Sequence, residues 1–190
     1  MKIIDTSIPD LKIIEPAVFA DDRGYFFESY SYEKLKALGI DKVFVQDNES
    51  KSQKGVLRGL HFQNPPFAQA KLVRVVKGAV LDVAVDIRKD SPTYGQHICV
   101  ELSEQNKRML YIPEGFAHGF LTLEDDTIFS YKCSAYYNQA SEGSLLWNDE
   151  ILNIDWGVEN PILSEKDKTA PSLRAAGEAI QIASVVPPSQ

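Results

Sequence analysis

The sequence predicts an all-β protein, an antiparallel sandwich or barrel. Three observations carry this. Short runs rich in β-branched and aromatic residues follow one another, separated by turn signals at short, fairly regular intervals. The clearest run, residues 79–87, alternates cleanly: Leu81, Val83, Val85 and Ile87 share one face, and Asp82, Ala84 and Asp86 share the other. Finally, 190 residues without an internal repeat or a linker-like stretch suit one domain whose core needs no staples.

Taken in order, residues 11–15 read as a strand stopped by Pro16. Asp21-Asp22-Arg23-Gly24 is a turn, and residues 25–30 form a second strand dense in aromatics. Ser31 as N-cap, Glu33 in the first turn and Gly39 just past Leu38 predict a short helix. Residues 43–48 read as a strand running into a polar end. Residues 56–63 and 69–78 read as two strands around a Pro-containing connection, and the alternating run 79–87 follows. A turn at 90–95 precedes four more strands, at 97–102, 108–112, 117–123 and 127–134. Past Pro161 the chain turns loop-like and mixed. The domain is expected to span residues 1–175, with 176–190, ending Val185-Val186-Pro187-Pro188-Ser189-Gln190, as a loose tail.

Composition narrows the function. Hydrophobic content of 44% and charged content of 25% are ordinary for a soluble globular chain. A net charge of −7 argues against general nucleic-acid or anionic-membrane binding, so an anionic ligand must be met by local cations. Met1-Lys2-Ile3-Ile4-Asp5 becomes charged too soon for a signal peptide, and no apolar run approaches the roughly 20 residues that span a membrane. Cys99 and Cys133 lie in apolar strand-like runs and read as buried free thiols rather than a disulfide. A cytoplasmic location is expected.

The chemistry concentrates around Val56-Leu57-Arg58-Gly59-Leu60-His61-Phe62-Gln63 and Gln69-Ala70-Lys71-Leu72-Val73-Arg74. One of only three histidines stands here among apolar residues, with Arg58 and Lys71 beside it in sequence. A titratable base beside two cations suits an anionic substrate that loses a proton better than it suits a core. Gln46, Asn48, His118 and Tyr131 are further polar residues in strand-like contexts, and strands that send such groups inward at one mouth form a pocket. Alternation puts Arg58 with Leu60 and Phe62, and His61 with Gly59 and Gln63. Both reach one site only if the strand bulges or bends, which Gly59 permits.

Pro113-Glu114-Gly115-Phe116-Ala117-His118-Gly119-Phe120 resembles half of a metal-binding cupin signature. The other half needs two histidines one residue apart, and the chain has His61-Phe62-Gln63 instead. Without a third ligand, which the spacing of His97 does not supply, no metal site is expected.

Together these motifs, with Asp22-Arg23-Gly24-Tyr25-Phe26-Phe27-Glu28, Gln46-Asp47-Asn48, Asp86-Ile87-Arg88 and Leu163-Ser164-Glu165-Lys166-Asp167, resemble the dTDP-4-dehydrorhamnose 3,5-epimerase family to about Leu173. Ala70 departs from the glycine expected there. The resemblance implies a jelly-roll (cupin-type) domain, a homodimer and chemistry without metal or cofactor. It implies a dTDP-4-keto-6-deoxyglucose substrate, whose ketone acidifies the hydrogens on C3 and C5. By similarity His61 is the base, Asp167 orients and polarises it, Tyr131 is the acid on the opposite face and Lys71 stabilises the enolate. Arg58, His118, Gln46, Asp47 and Asn48 are implied substrate contacts, with Glu142 and Lys166 as further ones. Arg23, Phe26 and Glu28 are implied to reach in from the partner subunit along the N-terminal aromatic strand.

Alternatives stay open. The same site inverts one carbon only in relatives from other deoxysugar pathways. A sugar-nucleotide-binding jelly roll without turnover has no need of His61 and Tyr131 together.

Overall fold

The computed structural model describes residues 1–182. Its strands are β1 (Lys2–Asp5), β2 (Lys12–Glu15), β3 (Val18–Asp21), β4 (Gly24–Phe27), β5 (Gln46–Ser52), β6 (Leu57–Gln63), β7 (Lys71–Lys77), β8 (Ala79–Asp86), β9 (His97–Ser103), β10 (Met109–Ile112), β11 (Phe116–Thr122), β12 (Thr127–Cys133) and β13 (Glu142–Ser144). Helices α1 (Tyr32–Ala37), α2 (Glu165–Lys168) and α3 (Leu173–Ala176) are short. A six-stranded sheet in the order β1-β2-β10-β7-β12-β5 packs against a five-stranded sheet in the order β13-β6-β11-β8-β9, and β3 and β4 form a separate ribbon. Every named strand pairing is antiparallel, and the architecture is the expected jelly-roll sandwich.

Between the sheets lies a core that includes Val73 and Val75 of β7, Val80 and Ala84 of β8, Phe116 and Phe120 of β11, and Phe129 of β12. Each of these valine and phenylalanine side chains contributes about 1.5–3 kcal/mol on full burial. The alternate residues of β8 are buried too. Val83 and Val85 face a second core, where Leu145, Leu152, Trp156, Leu173, Ile180 and Ile182 cover the outside of the five-stranded sheet. The return of the C-terminal segment over that sheet is why β8 is apolar on both faces. Asp82 and Asp86 are the exceptions, and Asp86 stands at the strand's end. It accepts from Arg88 Nε (2.9 Å) and Nη2 (2.7 Å) and from the Ser91 and Thr93 hydroxyls, so the Asp86-Ile87-Arg88 motif fixes a turn.

Some expectations change. The strand expected at 43–48 runs from Gln46 to Ser52, because β5 is an edge strand paired only with β12. Its inward positions are Gln46, Asn48, Ser50 and Ser52, of which Ser50 lines a cavity, so polarity here does not signal a loop. The aromatic strand expected at 25–30 stops at Phe27 and pairs with β3, which the pattern did not reveal. Past Pro161, the hydroxyls of Ser164 and Ser172 accept from the N–H of Asp167 and Ala175 and start α2 and α3 where loop was expected. The chain does not loosen at 176. Ile180 and Ile182 are buried, and Asn64 accepts from the Gln181 N–H at 2.9 Å. The expected tail beyond Ile182 lies outside the described residues. Both cysteines are free, but Cys99 is exposed, because it sits on the edge strand β9. No helix among the described residues is long and apolar enough to cross a membrane.

Candidate active site

The site begins with a backbone irregularity. His61 of β6 stands opposite His118 of β11 and Arg58 stands opposite Phe120, with a register shift between those pairs. Gly59 carries the shift at φ +123°. A Cβ there would come within 2.5 Å of the Gly119 Cα and 2.7 Å of the His118 carbonyl oxygen, so only glycine lets the strands approach. The bulge resolves the conflict of faces: Arg58 and His61 both line one cavity of about 450 Å³.

His61 Nε2–H donates to Asp167 Oδ1 at 2.6 Å. The carboxylate fixes the tautomer and leaves Nδ1 as the lone-pair nitrogen. Asp167 is held in turn by α2, whose N-cap Ser164 accepts from its N–H. Burial alone would raise the Asp167 carboxyl, but the hydrogen bond from His61, its charge, Ser164 and the Gly59 N–H outweigh it and hold the group below the usual carboxylate range. His118 Nε2 is bound to both oxygens of fully buried Asp82, at 2.9 and 3.1 Å.

The six-stranded sheet supplies the facing wall. Lys71 of β7 is 9% exposed and has no hydrogen-bond or ion-pair partner among the described residues, and its ammonium lies 6.0 Å from the Tyr131 ring centroid. Burial pulls it below the ordinary lysine range, against the opposing effects of Cys133, Asp82 and Glu142. Tyr131 of β12 is raised, chiefly by burial and by Cys133, against Asn48 and Arg58. A phenol and a dry cation thus face two carboxylate-bound imidazoles across one space. That arrangement can take a proton from one side of a bound carbon acid, return one from the other and stabilise the anion between.

The family model described as dTDP-4-dehydrorhamnose 3,5-epimerase matches residues 5–175. The chain belongs to this family. The dTDP-4-dehydrorhamnose 3,5-epimerase of Salmonella typhimurium is 57% identical over 178 residues, covering 93% of this chain and 97% of that one. The crystal structure of the Legionella pneumophila epimerase in complex with dTDP-4-keto-L-rhamnose superposes with a TM-score of 0.93 at 48% identity, covering 97% and 99% of the two chains. ChmJ of Streptomyces bikiniensis, a 3'-monoepimerase solved with dTDP-quinovose, superposes at 0.87 with 35% identity, covering 94% and 91%.

Of the site residues expected for this family, Arg58, His61, Lys71, His118, Tyr131 and Asp167 converge on the cavity. Arg58 Nε donates to Ser52 Oγ at 3.1 Å. Gln46 and Asn48 point inward beside the cavity, with Gln46 Nε2 donating to Asn48 Oδ1 at 3.1 Å. Glu142 pairs with Lys166 at 2.5 Å on β13, opposite Gln63 and one strand from His61. Asp47 does not join them: alternation along β5 turns it outward, where it pairs with Lys132 at 2.9 Å. Within one chain Arg23, Phe26 and Glu28 also stand apart. They lie on or just after the β3–β4 ribbon, with Arg23 paired to Asp21 and Glu28 to Lys34. Gln63, where the cupin signature has its second histidine, donates its amide to the carbonyls of Phe67 and Tyr136. His97 lies on edge strand β9 and does not line the cavity.

Asp82, Ser52, Ser164 and Tyr137 were not singled out from the sequence. Tyr137 is exposed, its hydroxyl donating to Glu142 Oε2 at 3.2 Å and its N–H to Gln46 Oε1 at 3.1 Å. The available signal was Asp82 itself, an acid inside an apolar alternating strand.

Proposed function

We propose that this chain epimerises a dTDP-4-keto-6-deoxyhexose at C3 and C5, with dTDP-4-keto-6-deoxyglucose as substrate. The observation that carries the reading is the placement of His61–Asp167 and Tyr131 on opposite walls of one cavity, with Lys71 beside Tyr131 and without an ion-pair partner among the described residues. His61 takes the proton from the carbon beside the ketone, and Asp167 steadies the imidazolium. The electron pair moves to the ketone oxygen, where Lys71 meets the developing charge. Tyr131 delivers a proton to the other face, and the carbon is inverted. Arg58, His118, Gln46 and Asn48 hold the sugar and diphosphate, with Glu142 and Lys166 at the rim. No cofactor takes part in these steps.

The assembly belongs to the same reading. Phe19 and Phe26 are each 66% exposed on a ribbon that also carries Arg23. Covered by a second copy, the ribbon brings Arg23, Phe26 and Glu28 to the neighbour's cavity in a homodimer. Two free thiols fit a reducing, cytoplasmic setting.

A second reading, inversion of one carbon only, is favoured by the likeness to the ChmJ monoepimerase. Incubation with dTDP-4-keto-6-deoxyglucose under a chelator, followed by NMR of the sugar, separates them. The double epimerase gives the L-sugar, a single epimerase gives one inverted centre, and a binding module gives neither. Mixing inactive Arg23→Ala and His61→Ala variants restores turnover if sites are shared, and restores none if each chain works alone.

A further inference from the structure

Asp82 has no part in the mechanism above, yet it is fully buried and both of its oxygens meet His118 Nε2. It sits on β8, one strand away from His118, where its pairing partner is Phe120. Around it are Val80 and Ala84, both wholly buried. A carboxylate in such a place is costly unless its partner repays it. We propose that Asp82 is a positioning residue that acts through His118, holding that ring with Nε2–H toward β8 and Nδ1 toward the bound sugar nucleotide.

Three observations support this. His118 lines the cavity, and among the described residues its ring has no hydrogen-bond partner other than Asp82. The ring is fixed in other directions by packing against Phe129, with centroids 6.0 Å apart, and Phe120, at 6.4 Å. The charged groups that face it oppose one another. Burial is the largest influence and pushes the imidazole below its ordinary range, Lys71 and His61 push the same way, and Asp82 pulls back. Asp82 is therefore the group that allows His118 to become a cationic donor when an anion enters a dry cavity already holding Lys71. A neutral ring in this orientation presents a lone pair; a protonated one presents Nδ1–H to the diphosphate or to the enolate oxygen.

The inference rests on the epimerase reading for its effect on rate, but its geometry is tested without turnover. With three histidines in the chain, ¹⁵N-histidine labelling and long-range ¹⁵N–¹H spectra resolve each ring, and His118→Gln assigns its signal. The wild-type enzyme should show neutral His118 protonated on Nε2. Saturating dTDP should shift its Nδ1 signal, either as it accepts or as it gains a proton. Asp82→Asn should change the tautomer pattern of His118 and lower turnover by roughly 10–100-fold, the scale of lost orienting partners. In the His118→Gln background the same change should cost less than about 2-fold, because the two act as one unit. A wild-type His118 protonated on Nδ1 overturns the proposal, as does an Asp82→Asn enzyme with unchanged spectrum and rate, or full additivity of the two variants. If Asp82→Asn does not fold, the wild-type spectrum decides. If the wild type shows no epimerisation, the epimerase reading fails while the His118 spectrum still judges the geometry.

Discussion

His61 and His118 face each other in register on neighbouring strands, each bound through Nε2 to a carboxylate, and yet they are built differently. The His61 side chain is 33% exposed and its partner comes from a short helix near the end of the domain. The His118 side chain is 7% exposed and its partner is rooted in β8, an interior strand of the five-stranded sheet. An imidazole that must exchange protons needs access to the substrate and to water. One that must only hold charge in place does better dry and fixed. On the proposed mechanism the same pair of residue types serves two ends, and burial decides which.

The largest way to break this contrast is His61→Ala. Turnover should fall by about 10²–10⁴-fold, the range for a lost general base, while dTDP binding, measured by calorimetry, stays near wild type. Comparable turnover in the variant would rule His61 out as the base. Lys71→Met is next. It removes a buried cation that has no ion-pair partner among the described residues, so turnover should drop by roughly 10²–10³-fold, as for a lost oxyanion donor. The thermal midpoint should hold or rise, because the uncompensated desolvation disappears. A less stable but fully active variant would contradict both halves.

Gly59→Ala probes the bulge that puts Arg58 and His61 in one cavity. A side chain at φ +123°, with the Gly119 Cα 2.5 Å from its Cβ, should cost about 1–3 kcal/mol in denaturant unfolding and lower activity as well. An unchanged unfolding midpoint would mean that the strands part without penalty.

Much of this was legible in the sequence because strands advertise themselves by alternation and turns by Gly, Pro and Asp. Ser31 and Gly39 marked α1 correctly for the same local reason. The bulge at Gly59 followed from a contradiction: two residues needed at one site lay on opposite faces. What failed was non-local. The second half of β5 looked unlike a strand because its inward positions, Ser50 and Ser52, are polar, and Asp47 stands outside the cavity because proximity in sequence to Gln46 and Asn48 is not proximity across a pleated strand. Ile180 and Ile182 read as tail because nothing local shows that the chain returns over β8.

The smallest effect lies in acid. Asp167 has a folded-state carboxyl below its ordinary value of 3.8, so its contribution to stability is complete above that value and is lost as pH falls through the folded one. The stability gap between wild type and Asp167→Asn should therefore be flat from about pH 5 to 7 and shrink below about pH 4. A gap that widens in acid would mean that the carboxyl is raised.

The most direct test of opposite walls is Tyr131→Phe incubated with dTDP-4-keto-6-deoxyglucose in heavy water. The base and Lys71 remain, so the enolate still forms and is quenched from the His61 side. Deuterium should enter at one carbon at least with retained configuration, while the doubly inverted L-sugar falls sharply. Formation of the L-sugar at the wild-type rate would contradict the account, because the proton would then come from another group.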